Sequence, residues 1–501
     1  MVAKKIKGEK IIRPPVIAIM GHIDHGKTTL IDYIRKTNVT EKEAGGITQH
    51  MSAYVVNHTG NDGQEKSLTF IDTPGHEAFG GIRKRGATVA DIVILVVSAE
   101  DGVKPQTLEA RDCIKESGLP YIVAITKIDK PNADIDRTKQ NLAENGVYVE
   151  GYGGDVPCVP LSAKTGDGVS ELLEMIILLS ELNPVLAESD TLGSGIIIES
   201  RLDPKRGVVG VGIIKKGEVR RGMVAATRGA IAPLRLILDF AGNQVKVLTA
   251  GNPVEIIGWD NSPVVGSEFR TFIKKEGALI FAALGAEEQI RPDTQNLEEG
   301  SIFLPLIVKA DTSGSLEAIL SEIAKLSRER IRPNIVSSGI GIINENDVKA
   351  ATAATGTTIL GFNIKTDSRG KALAERAEID IFIYSIIYEL IKKVGELLES
   401  KEPKIEAEEA VGKAKVLKIF SAIRGKQVIG CRVTEGEFKR GAAIKIVRRE
   451  SEIGRGKVKE LQQSKLPVES VEEGSEFGTM VESKIEITLG DVLEAFVTVT
   501  K

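Results

Sequence analysis

GHIDHGKT, Gly21 to Thr28, is the stretch of this 501-residue chain whose chemistry is plainest. It fits the spacing G-x-x-x-x-G-K-[ST]. In that pattern glycines let successive backbone N–H groups curl around phosphate oxygens, and the following helix adds the positive end of its dipole. Lys27 would neutralise the outer phosphates and Thr28 would offer its hydroxyl to Mg2+. His22, Ile23, Asp24, His25, Gly26 and Thr29 become nucleotide-binding candidates with them. A second group is TKID, Thr126 to Asp129. The two oxygens of the Asp129 carboxylate match the adjacent N1–H and N2–H2 donors of guanine, a pair adenine lacks, so the purine selected is guanine. Lys127 can lay its stem over the base, and SAK (Ser162, Ala163, Lys164) can present a backbone N–H to guanine O6. A third group, DTPGH, sets a carboxylate (Asp72), a tight corner at Gly75 and the imidazole of His76 one after another at the end of an apolar strand. The substrate expected is GTP. All five histidines lie before residue 77, but no Cys or second H-x-x-H pattern completes a tetrahedral zinc set.

These groups need a scaffold that delivers strand ends. PVIAIMG, SLTFIDTPG, DIVILVVSA, YIVAITKID and VPCVPLSA are short, β-branched and nearly continuously apolar, as parallel strands buried on both faces should be. KTTLIDYIRK, VKPQTLEARDCIKESG and VSELLEMIILLSEL are the helical candidates between them. This alternation predicts a doubly wound α/β sheet over 15–183 with its ligand at the carboxyl ends of the strands, after an N-terminal tail of residues 1–14.

Past Pro184 the alternation stops. Residues 184–270 read as short strands between glycine turns, a small antiparallel β-barrel, and a similar pattern returns over 405–501. GEVRRG (Gly217–Gly222) and GEFKRG (Gly436–Gly441) recur in the two, and each reads as a hairpin tip with glycine at both ends. Between the barrels, 271–300 reads as a linker with a helix, the helical pattern itself running from residue 268. Residues 301–384 read as an α/β/α domain with no phosphate loop, favoured as a rigid spacer. A helix over 385–404 carries Ile386, Ile387, Leu390, Ile391, Val394, Leu397 and Leu398 on one face, ends at Pro403, and is expected to act as a rod.

Composition bounds the function class. Lys+Arg 66 against Asp+Glu 70 gives a net charge of −4, which excludes a broadly basic nucleic-acid coat while leaving local patches open. Three scattered cysteines point to a reducing compartment, and the start carries no apolar run of signal-peptide type. The longest apolar runs are strand-length, so no membrane partner is expected, and the reading is a cytoplasmic monomer.

GHIDHGKTT, AGGITQH, DTPGHEAF and TKIDKP together resemble the GTP-binding domain of translational GTPases, most closely bacterial translation initiation factor 2. LIVKADTSGSLEAI, GFNI and IIYELI extend the likeness over nearly the whole chain. The resemblance implies that His76 orients the attacking water once the ribosome turns it inward. It implies that Ile23 and Ile47 close over the site, that Thr48 completes the Mg2+ shell beside Thr28 and Asp72, and that Asp24 is the acidic loop neighbour. It implies ribosomal subunits and formylmethionyl initiator tRNA as partners. Cys431, Glu476 and Gly478 fall on the family's pocket for the tRNA end. Departures are Thr126 for Asn, Phe477 for Cys, and Gln462 and Gln463 for a basic pair. Thr126 predicts weaker nucleotide affinity with base choice kept. Phe477 is expected either to stack on the terminal base or methionyl group or to sit in the barrel core. The family's long N-terminal extension has no counterpart ahead of the first strand. The alternatives are an elongation-type factor, which would carry two contiguous barrels, or a nucleotide-switched RNA-binding scaffold with incidental hydrolysis.

Overall fold

The computed structural model describes residues 10–36, 51–60, 63–75, 77–188, 191–284, 302–326, 331–401, 406–423, 425–464 and 466–500. They fall into two compact units, Met1–Lys401 and Glu402–Lys501. The first begins with a six-stranded sheet. Its elements are β1 (Val16–Gly21), α1 (Lys27–Arg35), β2 (Ser52–Thr59), β3 (Glu65–Asp72), α2 (Gly80–Val89), β4 (Ile92–Ser98), α3 (Pro105–Ser117), β5 (Tyr121–Thr126), α4 (Ile135–Glu144), β6 (Cys158–Pro160) and α5 (Val169–Leu182). The strand order is β2-β3-β1-β4-β5-β6, parallel throughout except at the β2 edge. β1 and β4 are buried at every residue, which is what an unbroken apolar run requires when helices cover both faces. The doubly wound P-loop sheet is therefore present, with the turns that follow β1, β3 and β5 at its carboxyl edge.

An eight-stranded antiparallel sheet follows within 194–272. Glu268–Phe272 is one of its strands, and the helix after it covers only Lys275–Ala283, which corrects the longer helix expected from residue 268. The sheet is tied to the first by buried charge. Asp91 accepts two bonds from Arg13 at 2.7 Å each and one from Lys215 at 3.0 Å, while Val16 N–H donates to the same carboxylate at 2.8 Å. Thr69 Oγ1 adds a bond to the Gly251 carbonyl at 2.6 Å.

A four-stranded parallel sheet comes next, in the order Ile331–Ile340, Ile302–Ala310, Thr358–Phe362, Ile381–Tyr384. Helix Ser313–Lys325 packs against it with Ala318, Ile319 and Ile323, in the same apolar core as Phe79 and Ile82 from the region of α2. Gly314 closes the approach, since a Cβ there would sit 3.1 Å from Ile82 Cδ1. Helix Ile387–Lys401 is no free rod. Ile387, Leu390, Val394 and Leu398 are buried in that same core, so its apolar stripe covers this sheet.

The terminal unit is a ring of six antiparallel strands: Glu406–Ile423, Val492–Thr500, Ala443–Arg448, Ser451–Gln463, Glu476–Ser483 and Lys426–Lys439, which pairs back to the first. The glycine-bracketed repeats are not hairpin tips. Glu218–Arg220 and Glu437–Lys439 pair with distant strands, Val247–Thr249 and Ser470–Glu472. All four flanking glycines have positive φ, at 64° and 96° in the first and 69° and 82° in the second.

Candidate nucleotide-binding site

The loop after β1 forms a cradle. Gly21 takes φ 150°, and a Cβ there would collide with the Val96 carbonyl of β4. Asp24, exposed, takes φ 60°. Gly26 caps α1 at φ 88°, with no side-chain cap bond and no acidic residue in the first turn, so the helix end offers its N–H groups to an anion without a competing carboxylate. One side chain outside the motif and one within it hold the loop. Gln106 Oε1, on α3, accepts Ile23 N–H at 3.0 Å. His25 lies in the interior, where its Nδ1 accepts the Ser98 N–H at 3.3 Å and burial pushes its pKa down to about 3. Its imidazole is neutral, and His22 meets it edge to face at 4.9 Å.

Lys27 is buried, donates to the His22 carbonyl at 2.5 Å, and reaches toward the next turn, where a Cβ on Gly75 would run into its ammonium. Burial lowers its pKa to about 8, against the opposing pull of the Asp72 carboxylate. Thr28 stands half-buried on the first turn of α1, Thr29 exposed beside it, and Asp72 is buried at the end of β3. A hydroxyl and a carboxylate are the hard oxygen donors that suit Mg2+. Thr73 Oγ1 fixes the turn by donating to the Ile19 carbonyl at 2.6 Å. His76, Ile47 and Thr48 lie outside the described residues.

The guanine-selecting candidates gather at the ends of β5 and β6. Ser162 Oγ donates to Asp129 Oδ1 at 2.7 Å, a bond that holds the carboxyl below its usual range. Lys127 takes φ 61° and lies 3.5 Å from the Asp101 carboxylate. Ala163 is half-buried and Lys164 exposed. Thr126, where the family pattern has Asn, is buried, and its hydroxyl donates to the His25 carbonyl at 2.5 Å. The threonine thus keeps a direct link between the base-reading strand and the phosphate loop. Gln106, Ser98 and Asp101 were missed because they act on loops distant in sequence; only their position between the end of β4 and the start of α3 signals them.

The other four candidates lie together on the terminal barrel. Cys431 pairs with Phe477, and Gly430 with Gly478, across adjacent strands. They border a groove of about 670 Å³ on the outer face of the barrel. Alternation turns Phe477 inward, where it is 4% exposed and its ring centroid is 5.5 Å from that of Phe438. This corrects the stacking role expected of it. Cys431 also faces the core, where burial raises its thiol to about 12. Glu476 faces out, paired with Arg432. The exposed aromatic at this groove is Phe420.

The sheet and its loop make this a P-loop GTPase, and the family models agree by segment. Residues 13–181 match the elongation factor Tu GTP-binding domain, 193–272 elongation factor G domain 2, and 285–395 translation-initiation factor 2. A translation initiation factor IF-2 from Rubrobacter xylanophilus is 41% identical over 97% of this chain and 71% of its own length. Proteins of that name from Carboxydothermus hydrogenoformans and Phenylobacterium zucineum are each 40% identical, and the chain spans 59% and 51% of their lengths. The chain belongs to the translation initiation factor IF-2 family. A solved structure of GDP-bound aIF5B from Aeropyrum pernix is 26% identical over 97% of this chain and 92% of that one, with a TM-score of 0.49. Among the described residues no helix is long and apolar enough to cross a membrane.

Proposed function

We propose that this chain is a monomeric, ribosome-activated GTPase that places initiator tRNA during subunit joining and converts GTP and water to GDP and phosphate. The observation that carries the nucleotide reading is the coupled geometry of Asp129, Ser162 and Thr126. A carboxylate oriented by a serine hydroxyl stands ready for guanine, and the residue three before it is bonded to the phosphate loop. Lys27 would hold the β- and γ-phosphates from the buried side, while the first N–H groups of α1 bind them end-on. Gly75 N–H would sense the γ-phosphate, because its neighbour is the ammonium of Lys27. Thr28 and Asp72, with Thr48, would hold Mg2+, which supplies charge neutralisation when bound. His76 would orient the attacking water, with Ile23 and Ile47 closing the site. The groove bordered by Cys431, Glu476, Phe477 and Gly478 supports the terminal barrel as the tRNA-end site.

Single-turnover GTP hydrolysis with and without ribosomes tests this reading. Strong stimulation by ribosomes that disappears in His76→Ala is expected. A turnover unchanged by ribosomes would leave a nucleotide-switched scaffold as the better description.

A further inference from the structure

Tyr54 stands on β2, and its side chain belongs to the apolar layer that Leu30 and Ile31 of α1 form with the sheet. It is 1% exposed and lies opposite Phe70 on β3, where the two rings stack at 6.0 Å and 16°. The Arg35 guanidinium, at the end of α1, covers the Tyr54 ring at 4.5 Å. A phenylalanine would make every one of these contacts. The hydroxyl is the anomaly, because it is buried and has no hydrogen-bond partner among the described residues. A buried O–H left without an acceptor destabilises the fold, so its presence asks for a use.

Its position supplies one. Register sets Ser52 opposite Asp72 and Tyr54 opposite Phe70, so Tyr54 and Asp72 are diagonal neighbours on one face of the sheet. Diagonal neighbours lie within reach of a side chain as long as tyrosine. Burial first, and then the Asp72 carboxylate, push the phenol well above its usual range, which keeps it a proton donor. In the empty site the charge of Asp72 is answered by the buried ammonium of Lys27. Bound phosphates would compete for that ammonium.

We propose that Tyr54 is a positioning residue of the Mg2+ site, its hydroxyl donating to the Asp72 carboxylate once the phosphates have claimed Lys27. The inference rests on the nucleotide and Mg2+ reading above and deepens it. A carboxylate that serves a metal site is oriented by a donor behind it, and the phenol is that donor. In the empty protein the same O–H is held in reserve.

The test compares the full chain with Tyr54→Phe, which keeps the ring, its stack on Phe70 and its cover by Arg35. Affinity for a non-hydrolysable GTP analogue is titrated with excess Mg2+ and again with excess EDTA, and melting of the empty protein is the second readout. The gain in affinity that Mg2+ confers should fall about tenfold in Tyr54→Phe, the scale of a hydrogen bond to a charged group, while the EDTA value stays within about twofold. The empty variant should melt at the parent's temperature or above it. An unchanged Mg2+ gain, or an equal loss with and without the metal, overturns the role of the hydroxyl while the nucleotide reading stands. A lower melting temperature would mean that the hydroxyl is already bonded in the empty protein, and overturns that role as well. A parent whose affinity ignores Mg2+ would overturn the metal reading and the inference together.

Discussion

Replacing Thr126 by valine removes one hydroxyl and keeps the side-chain shape. That hydroxyl lies 2.5 Å from the His25 carbonyl and 3.3 Å from the Val97 carbonyl, on a residue 1% exposed. Water cannot readily replace the lost donor there, so the His25 carbonyl is left without it. A buried polar group stripped of its partner costs about 1–3 kcal/mol. The cost falls on the loop shape that nucleotide binding requires, because His25 belongs to the phosphate cradle. Thr126→Val should therefore weaken GDP binding by about 5- to 150-fold, and Thr126→Ser, which keeps the donor, by less than about threefold. Titration with a fluorescent GDP analogue reads both. The ratio of GDP to ADP affinity should not move, since Asp129 and Ser162 keep their own bond. A Thr126→Val protein binding GDP within twofold of the parent would refute the claim that this hydroxyl holds the loop.

Three further outcomes follow from the same geometry. Lys27 ionises near 8 in the empty site because it is buried, so GDP affinity should fall as pH rises beyond 8, by up to about tenfold per unit, with proton uptake detectable by calorimetry in two buffers. Stability of the empty protein should move the other way between about 8 and 10.5, where the unfolded lysine holds the extra proton. His25, near 3, should contribute no step in affinity between pH 6 and 7.5. Asp129→Asn keeps the acceptor for Ser162 but presents one oxygen to guanine, and should weaken GDP by about tenfold or more while improving xanthosine diphosphate relative to it. Asp91→Ala strands the Arg13 and Lys215 charges and should destabilise the first unit by about 3–5 kcal/mol, read by denaturant titration with an intact terminal barrel as the internal control.

The parts of the fold that could be read from residue order were those whose physics is local. Strands buried on both faces declare themselves as apolar runs, and the nucleotide motifs sit where those runs stop. β2 was missed because SAYVVNHT is half-exposed and ends in three consecutive polar residues. α2, GGIRKRGATV, has three glycines and three cations, and is held as a helix by packing that no propensity reveals. Its Gly86 is needed because a Cβ there would sit 2.8 Å from Thr73 Cγ2. α4 and helix Ser368–Ala377 were missed for the same polar surface. In the terminal barrel, period-two parity from Val481 places Phe477 on the inner face, a signal present in EFGTMVES once its strand is recognised. The pairing of Gly430 with Gly478 needs inter-strand register, and residue order alone does not supply it.

The carboxylate of Asp91 gathers the approach to β1, the edge of β4 and a strand of the next sheet around a single buried point. Sequence pattern divides this chain into a P-loop sheet, two barrels, an α/β/α domain and a helix, yet the structure gathers them into two compact units. Severing the chain near residue 184 would therefore leave Asp91 with Arg13 on one side and strip Lys215 of its carboxylate on the other. A boundary that the residue pattern marks as a joint between modules is thus crossed by an ion pair, so a cut in the chain there is also a cut in its electrostatics.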